Sequence, residues 1–303
     1  MRTYPHPLDS ESDAHAPWAV LAEACAQVGL DPAGAALVRL VNNAVFRLVR
    51  HRVMVRVTLI DGLAHRAHVA VAAGRMLAAH GIPAVRPLLG IPNPVHVDGH
   101  AVSFWKEVTD TGSMPTAAQL GDLLTRLHRL PVADVRLPSW NPVADLRSRI
   151  TDMHGWDRGD VDFLSRRCDA VESALATLDY PLPPGVIHGD AQLGNVITTP
   201  AGPVLCDLDT VCVGPREWDL VPIAVSQLRF GHPVDVYRQL ADAYGVDVTT
   251  WPGFLVLREL RELKLAAVGM STARLNPVVG FELRRRLRSL RATHTTAQWT
   301  PYQ

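Results

Sequence analysis

The chain has 303 residues, 48% of them hydrophobic, which allows a large core in two lobes, and its zero formal net charge at pH 7 gives no indication of a nucleic-acid partner. The polar N-terminus and the lack of any run of ~20 apolar residues argue against a signal peptide and a membrane partner. Four scattered cysteines without a C-x-x-C pair favour a cytoplasmic location.

The first third of the chain predicts a small, strand-rich lobe. A leading helix is expected over Pro17–Val28, and β-rich runs between turn signals predict the strands that follow it. One further helix is expected to end where a Gly and a Pro follow it. The strands are expected over Ala35–Leu40, Ala44–Arg50, Val53–Leu59, Pro87–Ile91 and Ala101–Trp105, and this helix over Ala64–His80.

The most informative residues lie between positions 182 and 209. Three short apolar runs separated by turn residues predict strands at Val186–Ile187, Val196–Thr199 and Val204–Cys206. The loop after the first run contains Asp190 and, five positions later, Asn195, and the third run ends at Asp207. Phosphoryl transfer from a nucleotide uses one carboxylate on the attacking hydroxyl, and an amide oxygen with a second carboxylate on Mg²⁺. The spacing therefore predicts a kinase-type catalytic loop and metal loop, against the alternative of a solvated loop with a helix-capping Asp.

The segment between Asp207 and Asp219 indicates the size of the acceptor. A protein kinase has an activation segment of roughly 20–30 residues there, which ends in Ala-Pro-Glu and binds the polypeptide substrate. This chain has only about ten residues in that place and no such ending. The acceptor is therefore expected to be a small molecule in a C-terminal lobe.

The remaining segments predict that this lobe is largely helical. Apolar residues at helical spacing, with capping residues at several ends, predict helices over Thr116–Leu130, Val161–Leu178, Val234–Tyr244, Phe254–Gly269 and Phe281–Arg291. The predicted fold class is α+β and bilobal. A small antiparallel-sheet lobe is expected over residues 1–108, and a larger, mainly helical lobe over residues 109–303.

The loop His188-Gly189-Asp190, its Asn five residues later, and the run Gly214–Leu220 resemble the aminoglycoside phosphotransferase family. This family of small-molecule kinases is similar to choline and homoserine kinases and shares the bilobal protein-kinase fold. The resemblance extends from about Leu37 to about Arg291, and only the catalytic and metal loops are specific. It implies Asp190 as the catalytic base, Asn195 and Asp207 as Mg²⁺ ligands, Asp219 as a brace for the catalytic loop, and His188 as a residue that orients that loop.

The phosphate-binding cation departs from the kinase pattern. The third strand should carry a Lys paired to a Glu on the following helix, but the only lysines are Lys106 and Lys264, so the cation is expected to be Arg56. Because that helix contains no acid, Arg56 is braced by another group such as Asp207, or binds the phosphates alone, unless it is a solvated strand residue. Asp209 is either a carboxylate that assists at the metal or a solvated loop residue.

The rest of the nucleotide site lacks a glycine-rich phosphate loop. No two glycines are separated by a single residue, and neither lysine follows a glycine, so Rossmann and Walker A motifs are excluded. Asn42-Asn43 can adopt positive φ and close the first hairpin over the phosphates instead. Lys106-Glu107-Val108 is expected to be the hinge whose backbone meets the nucleotide base.

Candidate acceptor-binding groups are acidic and aromatic side chains of the helical lobe. A polycationic acceptor such as an aminoglycoside needs convergent carboxylates, but alternating charge on a helix also describes a solvated, salt-bridged face, and a Trp can equally pack in the core. The candidates are Asp157, Asp160, Glu259, Glu262 and Trp218. Arg284, Arg285, Arg286 and Arg288 are interpreted as the exposed side of the last helix.

The sequence thus predicts an ATP-dependent or GTP-dependent kinase that uses Mg²⁺ to phosphorylate a hydroxyl of a small molecule. Two substrate classes stay open: an antibiotic, which would confer resistance, and a metabolic sugar or amino alcohol such as choline. The competing class is a nucleotide-binding pseudokinase with a regulatory or interaction role. The missing Lys–Glu pair favours the pseudokinase, and the complete set of Asp190, Asn195 and Asp207 opposes it. The oligomeric state is left open.

Overall fold

A computed structural model shows how these segments fold. It describes residues 11–40, 43–60, 63–151, 153, 156–270, 273, 276–293 and 296–302. Within these ranges, every helix is too short or too polar to cross a lipid bilayer. Of the predicted turn at Asn42-Asn43, Asn42 lies outside the described residues, and Asn43 is the first residue of a strand.

The described residues form nine α-helices and nine strands. The helices are α1 (Glu11–Val28), α2 (Ala64–Ala79), α3 (Ala117–His128), α4 (Pro142–Thr151), α5 (Arg158–Leu175), α6 (Val221–Phe230), α7 (Val234–Tyr244), α8 (Phe254–Ala267) and α9 (Pro277–Arg291). The strands are β1 (Ala36–Leu40), β2 (Asn43–Leu48), β3 (Val53–Thr58), β4 (Val95–Val97), β5 (His100–Lys106), β6 (Gly185–Ile187), β7 (Val196–Thr199), β8 (Gly202–Leu205) and β9 (Cys212–Gly214). Single 3₁₀ turns at Leu208–Thr210 and Arg216–Leu220 carry candidate site residues.

The first compact unit contains the larger sheet. It consists of Met1–Pro115, Leu130–Pro138 and Gly194–Val211. Five antiparallel strands pair in the order β1-β2-β3-β5-β4, and β7 and β8 form a separate hairpin. Alternate residues of a strand point to opposite faces of the sheet, so Val53, Val55 and Val57 of β3 enter the core with Phe104 while Arg56 points away from it.

The second compact unit is mainly helical. It consists of Thr116–Arg129, Ser139–Leu193 and Cys212–Gln303. A capping box between Thr116 and Gln119 starts α3, and Leu120, Leu124 and Leu127 at helical spacing bury one side of this helix. Strands β6 and β9 pair antiparallel, so the loop after β6 and the 3₁₀ turn after β9 are both anchored to one small sheet.

The predicted α+β class is confirmed, and most element boundaries agree within a few residues. The two-lobe division at residues 1–108 and 109–303 stays a prediction, because these units are defined by compactness alone. The predicted strand over Pro87–Ile91 is wrong. Pro87 lacks an N–H and forms only one bridge, to Trp105, and the edge strand of the sheet is β4.

Two further sequence expectations fail. Helices α4 and α6 are not among the predicted elements. Helix α6 begins with the apolar run Val221–Val225, and the Pro in this run lies in the first turn, where helices tolerate it. Arg286, expected on the exposed side of the last helix, is only 1% exposed, whereas Arg284 and Arg288 are exposed as expected.

Candidate active site

Three side chains hold Arg56 within the first compact unit. Its Nη1 donates a hydrogen bond to Oδ1 of Asp207 at 2.9 Å, and its Nη2 donates to Oδ2 of Asp209 at 2.7 Å. The amide of Asn43, with its oxygen toward Arg56, accepts from Nε at 3.2 Å and from Nη2 at 2.8 Å. Because the Arg56 side chain is only 18% exposed, its charge needs such partners. The alternative of a solvated strand residue is therefore wrong.

These contacts give Arg56 the carboxylate partner that the neighbouring helix does not supply. Helix α2 has no acidic residue in its sequence, and Asp207 is one of two carboxylates that pair with Arg56 instead. Asp209 is the more enclosed of the two, with 14% of its side chain exposed against 38% for Asp207. Asp209 is thus placed to fix the guanidinium while Asp207 keeps an accessible edge.

The charges in this cluster shift the pKa values of Arg56 and Asp209. Burial by itself lowers the pKa of Arg56, but Asp209 and Asp207 raise that pKa above its ordinary value. Burial, and then the adjacent Asp207 carboxylate, raise the pKa of Asp209, while the positive charges of Arg56 and Arg66 oppose the shift. The two carboxylates therefore keep Arg56 charged although its side chain is largely enclosed.

Asn195 and Asp207 lie at the same end of the β7–β8 hairpin. Asn195 directly precedes β7, and Asp207 follows the last residue of β8 by two positions. The backbone N–H of Cys206 donates to the carbonyl oxygen of Asn195 at 2.9 Å, which fixes Asn195 beside the residue that precedes Asp207. Asp207 then adopts a left-handed conformation with φ 59° and starts the 3₁₀ turn that carries Asp209. Such a conformation is uncommon outside glycine, although Asp and Asn tolerate it better than most residues.

The donor set of this hairpin end suits Mg²⁺. Mg²⁺ prefers oxygen ligands and is usually bound through one or two carboxylates together with substrate phosphates. Asn195 offers an amide oxygen and Asp207 a carboxylate. No group of three or more His, Cys, Asp or Glu side chains that could hold a metal ion occurs in the described parts of the chain. These residues therefore fit a metal shared with a nucleotide rather than a cage made by protein alone.

Asp219 holds the catalytic loop after β6 through hydrogen bonds to the loop backbone. Its Oδ2 accepts the backbone N–H of His188 at 2.6 Å, and its Oδ1 accepts that of Gly189 at 2.8 Å. Gly189 has φ 82°, a conformation that favours glycine. The indole N–H of Trp218 donates to the Gly189 carbonyl at 2.8 Å. Since Trp218 is fully buried, it offers no surface to an acceptor, and the geometry favours support of the loop.

Asp219 also joins a buried side-chain network. The Nε2 atom of His128 lies 3.0 Å from Oδ2 of Asp219, and its Nδ1 lies 2.8 Å from the Tyr244 hydroxyl. Asp219 is fully buried and His128 is 1% exposed, so neither can exchange its partner for bulk water.

We expect Asp219→Ala to lower the free energy of unfolding by about 3–5 kcal/mol, because it strips partners from two buried N–H groups and a buried His. Urea denaturation monitored by circular dichroism measures this loss. Asp169→Ala is the control, since Asp169 pairs with Arg147 at the surface and is expected to change stability by less than about 0.5 kcal/mol. Equal losses in the two variants would contradict the assigned role of Asp219.

Both carboxylate oxygens of Asp190 are hydrogen-bonded within the second compact unit. Nη1 of Arg261 donates to Oδ1 at 2.7 Å, and Nε2 of Gln192 donates to Oδ2 at 3.0 Å. Burial by itself raises the pKa of Asp190, but the charge and hydrogen bond of Arg261, with smaller contributions from His188 and Lys264, hold that pKa below its usual range. Asp190 is therefore ionised at neutral pH.

The acidic candidates for acceptor binding already have partners. Asp157 is the N-cap of α5, where its side chain accepts the backbone N–H of Asp160. The other three form ion pairs with arginines: Asp160 with Arg291, Glu259 with Arg167, and Glu262 with both Arg229 and Arg258. A contact between these carboxylates and an acceptor stays a prediction, and it would require breaking these pairs.

The predicted hinge follows strand β5. The backbone N–H of Glu107 donates to the carbonyl of Arg52 at 2.9 Å, and its carboxylate pairs with Nε of Arg47 at 2.7 Å. The second carboxylate oxygen, Oε2, is buried and accepts no hydrogen bond from the described residues. Val108 is half-buried. The role of Glu107 and Val108 in binding the base stays a prediction.

Four residues at the site are absent from the predicted set: Gln192, His128, Tyr244 and Arg261. Gln192 lies inside the recognised loop motif, two residues after Asp190, so its position was the available signal. Arg261 belongs to a run of alternating charges that is typical of a solvated helix face. His128 and Tyr244 end two different helices, and no local pattern connects them.

Comparisons with known proteins identify the family. The sequence profile of the phosphotransferase enzyme family matches residues 38–260. The chain belongs to this family. The family and the enzyme class predicted from the sequence are thereby confirmed, and the protein is a phosphotransferase of the small-molecule kinase type. No curated protein matches the chain.

Solved structures share the fold of this phosphotransferase at low identity. A choline/ethanolamine kinase family protein from Mesorhizobium loti is 21% identical over 90% of this chain and 94% of that chain, with a TM-score of 0.59. Amicoumacin kinase in complex with AMP-PNP, Ca²⁺ and Ami is 13% identical over 96% and 98%, with a TM-score of 0.68. An aminoglycoside phosphotransferase in complex with GDP and kanamycin is 13% identical over 92% and 99%, with a TM-score of 0.62. These likenesses establish the fold alone, and the predicted protein-kinase-like fold is confirmed.

Proposed function

We propose that this phosphotransferase transfers the terminal phosphoryl group of ATP or GTP to a hydroxyl of a small molecule, with Mg²⁺ as the metal ion. One observation carries the proposal: a member of the phosphotransferase enzyme family retains Asp190, Asn195 and Asp207 at the spacing that this chemistry requires. The alternative of a pseudokinase is disfavoured because Arg56 and Asp209 supply the cation and the carboxylate of the missing Lys–Glu pair.

Asp190 is proposed to accept the hydrogen bond of the acceptor hydroxyl and to orient it for attack. Phosphoryl transfer passes through a loose transition state, so positioning the nucleophile matters more than removing its proton early. A carboxylate with a lowered pKa suits this task, because it is ionised and oriented at neutral pH without being a strong base. Asp219 and Trp218 keep the loop in place through their hydrogen bonds to its backbone.

Asn195 and Asp207 are proposed to hold the metal ion together with the nucleotide phosphates. Mg²⁺, when bound, neutralises the charge that develops on the transferred phosphoryl group. The fixed hairpin end and the left-handed backbone at Asp207 support this role, because they orient the two oxygen ligands before the nucleotide binds. Asp209 contributes indirectly, since it competes for Arg56 and leaves Asp207 accessible.

Arg56 is proposed to bind the nucleotide phosphates, with Asp209 as its brace. Arg56→Ala is expected to weaken ATP binding by about 10–100-fold, which corresponds to one charge-assisted hydrogen-bonded pair. Arg56→Lys should restore only part of this affinity, because a point charge cannot reproduce the planar guanidinium. Asp209→Asn should weaken ATP binding less than Arg56→Ala, since the guanidinium stays but is held less firmly.

Calorimetric titration of ATP, ADP and adenosine measures these effects. Adenosine lacks phosphates and is expected to bind all variants equally, which makes it the internal control. If Arg56→Ala binds ATP as tightly as the original chain, the phosphate-binding role of Arg56 is refuted.

The acceptor is proposed to be a small molecule. The roughly ten residues between Asp207 and Asp219 leave no activation segment for a polypeptide. The structural neighbours named above include a choline/ethanolamine kinase family protein, amicoumacin kinase and an aminoglycoside phosphotransferase in complex with kanamycin. Antibiotic resistance and metabolic phosphorylation of a sugar or an amino alcohol are both compatible with the catalytic residues.

A cytoplasmic location is proposed as well. None of the four cysteines, all of which lie in described parts of the chain, forms a disulfide.

The test is a nucleotide-consumption screen with ATP and with GTP against antibiotics, sugars, hydroxy acids and amino alcohols. Mass spectrometry of the product should show a phosphate added to one hydroxyl, and omission of Mg²⁺ should abolish the reaction. Nucleotide binding without any transfer across the whole screen would favour the pseudokinase. Separate reactions with the two nucleotides decide between ATP and GTP.

A further inference from the structure

Two cations of helix α8 face the catalytic loop within the second compact unit. Nη1 of Arg261 lies 2.7 Å from Oδ1 of Asp190. Lys264, about one helical turn further along, has its Nζ 6.0 Å from the ring centroid of Trp218. Trp218 in turn donates to the carbonyl of Gly189, the residue before Asp190. The side of α8 that meets the catalytic loop therefore carries two cationic side chains.

The two carboxylates of α8 pair with other arginines. Glu259 pairs with Arg167, so that pair is neutral. Glu262 is shared by Arg229 and Arg258, so its negative charge is matched twice. The ion pairs of Glu259 and Glu262 thus contain three arginines for two carboxylates. Burial raises the pKa of Asp190, but the charges of Arg261, His188 and Lys264 outweigh burial and lower that pKa.

Arg261 also has a hydrogen-bond donor without a partner. The residue is 7% exposed, and its Nε is buried with no acceptor among the described residues. Buried N–H groups in native proteins nearly always have a partner, so such an atom calls for an explanation. Nε belongs to the edge of the guanidinium with which arginine binds carboxylate or phosphate through two parallel hydrogen bonds. An oxyanion beside Asp190 would satisfy it.

We propose that the acceptor carries an anionic group, a carboxylate or a phosphate, in addition to the hydroxyl that is phosphorylated, and that Arg261 binds this group. The inference rests on the proposed function, since it names the substrate class of the same site. One guanidinium contacts Asp190 and would contact the anion. The anion and the reactive hydroxyl are therefore close together in the acceptor, as in a hydroxy acid or a sugar phosphate.

A polycationic acceptor is disfavoured by the same residues. Several ammonium groups would approach Arg261 and Lys264, and like charges repel strongly where water is partly excluded. The carboxylates that such an acceptor needs, Glu259 and Glu262, are held in ion pairs. The acceptor class proposed here therefore differs from that of an aminoglycoside.

The test compares acceptors that match in size and differ in charge. Phosphate transfer from ATP and from GTP is measured by coupled assay and by mass spectrometry, with a reaction lacking acceptor as the baseline. The compounds are glycerate, glycerol 3-phosphate, glycerol and 3-amino-1,2-propanediol, then gluconate, glucose 6-phosphate, glucose and glucosamine, and finally kanamycin. We expect kcat/KM for at least one anionic compound to exceed that of its neutral counterpart by about ten-fold or more. Faster transfer to the neutral or cationic members of both series would overturn the proposal.

Variants of Arg261 separate binding of the anion from support of Asp190. Arg261→Gln is expected to reduce the anionic-to-neutral ratio of kcat/KM to near one, and Arg261→Lys to retain part of the preference. Arg167→Gln is the matched control, because it removes an arginine that pairs with α8 without touching Asp190, and it should leave the ratio unchanged. If Arg261→Gln slows all acceptors by the same factor, Arg261 only positions Asp190 and the proposal fails.

A binding measurement covers the case in which no compound is phosphorylated. That result would count against the proposed function, and calorimetry with the same compounds in the presence of AMP-PNP then tests the inference separately. Binding of an anionic compound to the original chain that is lost in Arg261→Gln supports the anion site. Binding that is absent, or that is equal in both proteins, overturns it.

Discussion

Asp190→Asn is expected to lower kcat by about 10²–10⁴-fold while nucleotide affinity stays near its original value. The substitution removes the charge that orients the acceptor hydroxyl but keeps the shape of the side chain. The amide oxygen of Asn can still accept the hydrogen bond of Arg261, so the loop keeps its principal contact. Steady-state kinetics with the acceptor identified by screening, together with calorimetric titration of the nucleotide, measure the two effects.

The control for this variant is Asp235→Asn. Asp235 is 76% exposed and pairs only with Arg238 at the surface among the described ion pairs, so the same chemical change there should leave kcat unaltered. A kcat for Asp190→Asn within a few-fold of the original would show that the hydroxyl is oriented by another group.

Asp207→Ala is expected to weaken Mg²⁺-dependent nucleotide binding by more than the roughly 10–100-fold that loss of an outer metal-site residue typically costs. The variant removes a charged oxygen ligand from the metal. Asn195→Ala should have the smaller effect, because its amide oxygen carries no net charge. Calorimetric titration of ATP in the presence and in the absence of Mg²⁺ measures the metal-dependent part of the affinity without reference to turnover.

The titration without Mg²⁺ separates the metal role from the contact with Arg56. Loss of Asp207 releases Nη1 of Arg56 for the phosphates, so Asp207→Ala should bind metal-free ATP at least as well as the original chain. Equal losses with and without Mg²⁺ would assign Asp207 to the brace of Arg56 instead. If the ATP affinity of the unsubstituted protein does not depend on Mg²⁺, the pseudokinase is favoured.

Short-range patterns suffice to predict most elements and the two functional loops. Helix α7 spans the predicted Val234–Tyr244, and β7 spans the predicted Val196–Thr199. The spacing of Asp190 and Asn195 belongs to a single loop, so it is visible without knowledge of the fold. The family match over residues 38–260 confirms the activity class that this spacing predicts.

The partner of Arg56 is an example of a contact that local sequence patterns do not predict. Asp209 lies 153 residues further along the chain, and the sequence suggests Asp207 as the brace without excluding an unbraced arginine. The choice depends on where the segment after β8, with Asp207 and Asp209, lies relative to strand β3. Pairing of distant segments is set by packing of the whole unit and leaves no periodic signal in either segment.

The charged residues of α8 and α9 depend on tertiary structure in the same way. Alternating charge in Arg258–Glu262 and the arginines of α9 both predict a solvated face. The sequence by itself determined the fold class, the phosphotransferase family and the order of the catalytic and metal loops, because these depend on spacing within short segments. Only the tertiary structure placed Arg261 against Asp190 and enclosed Arg286 over the ring of Tyr302. A long charged side chain is buried wherever a distant segment brings it a partner, and the local sequence does not record that partner.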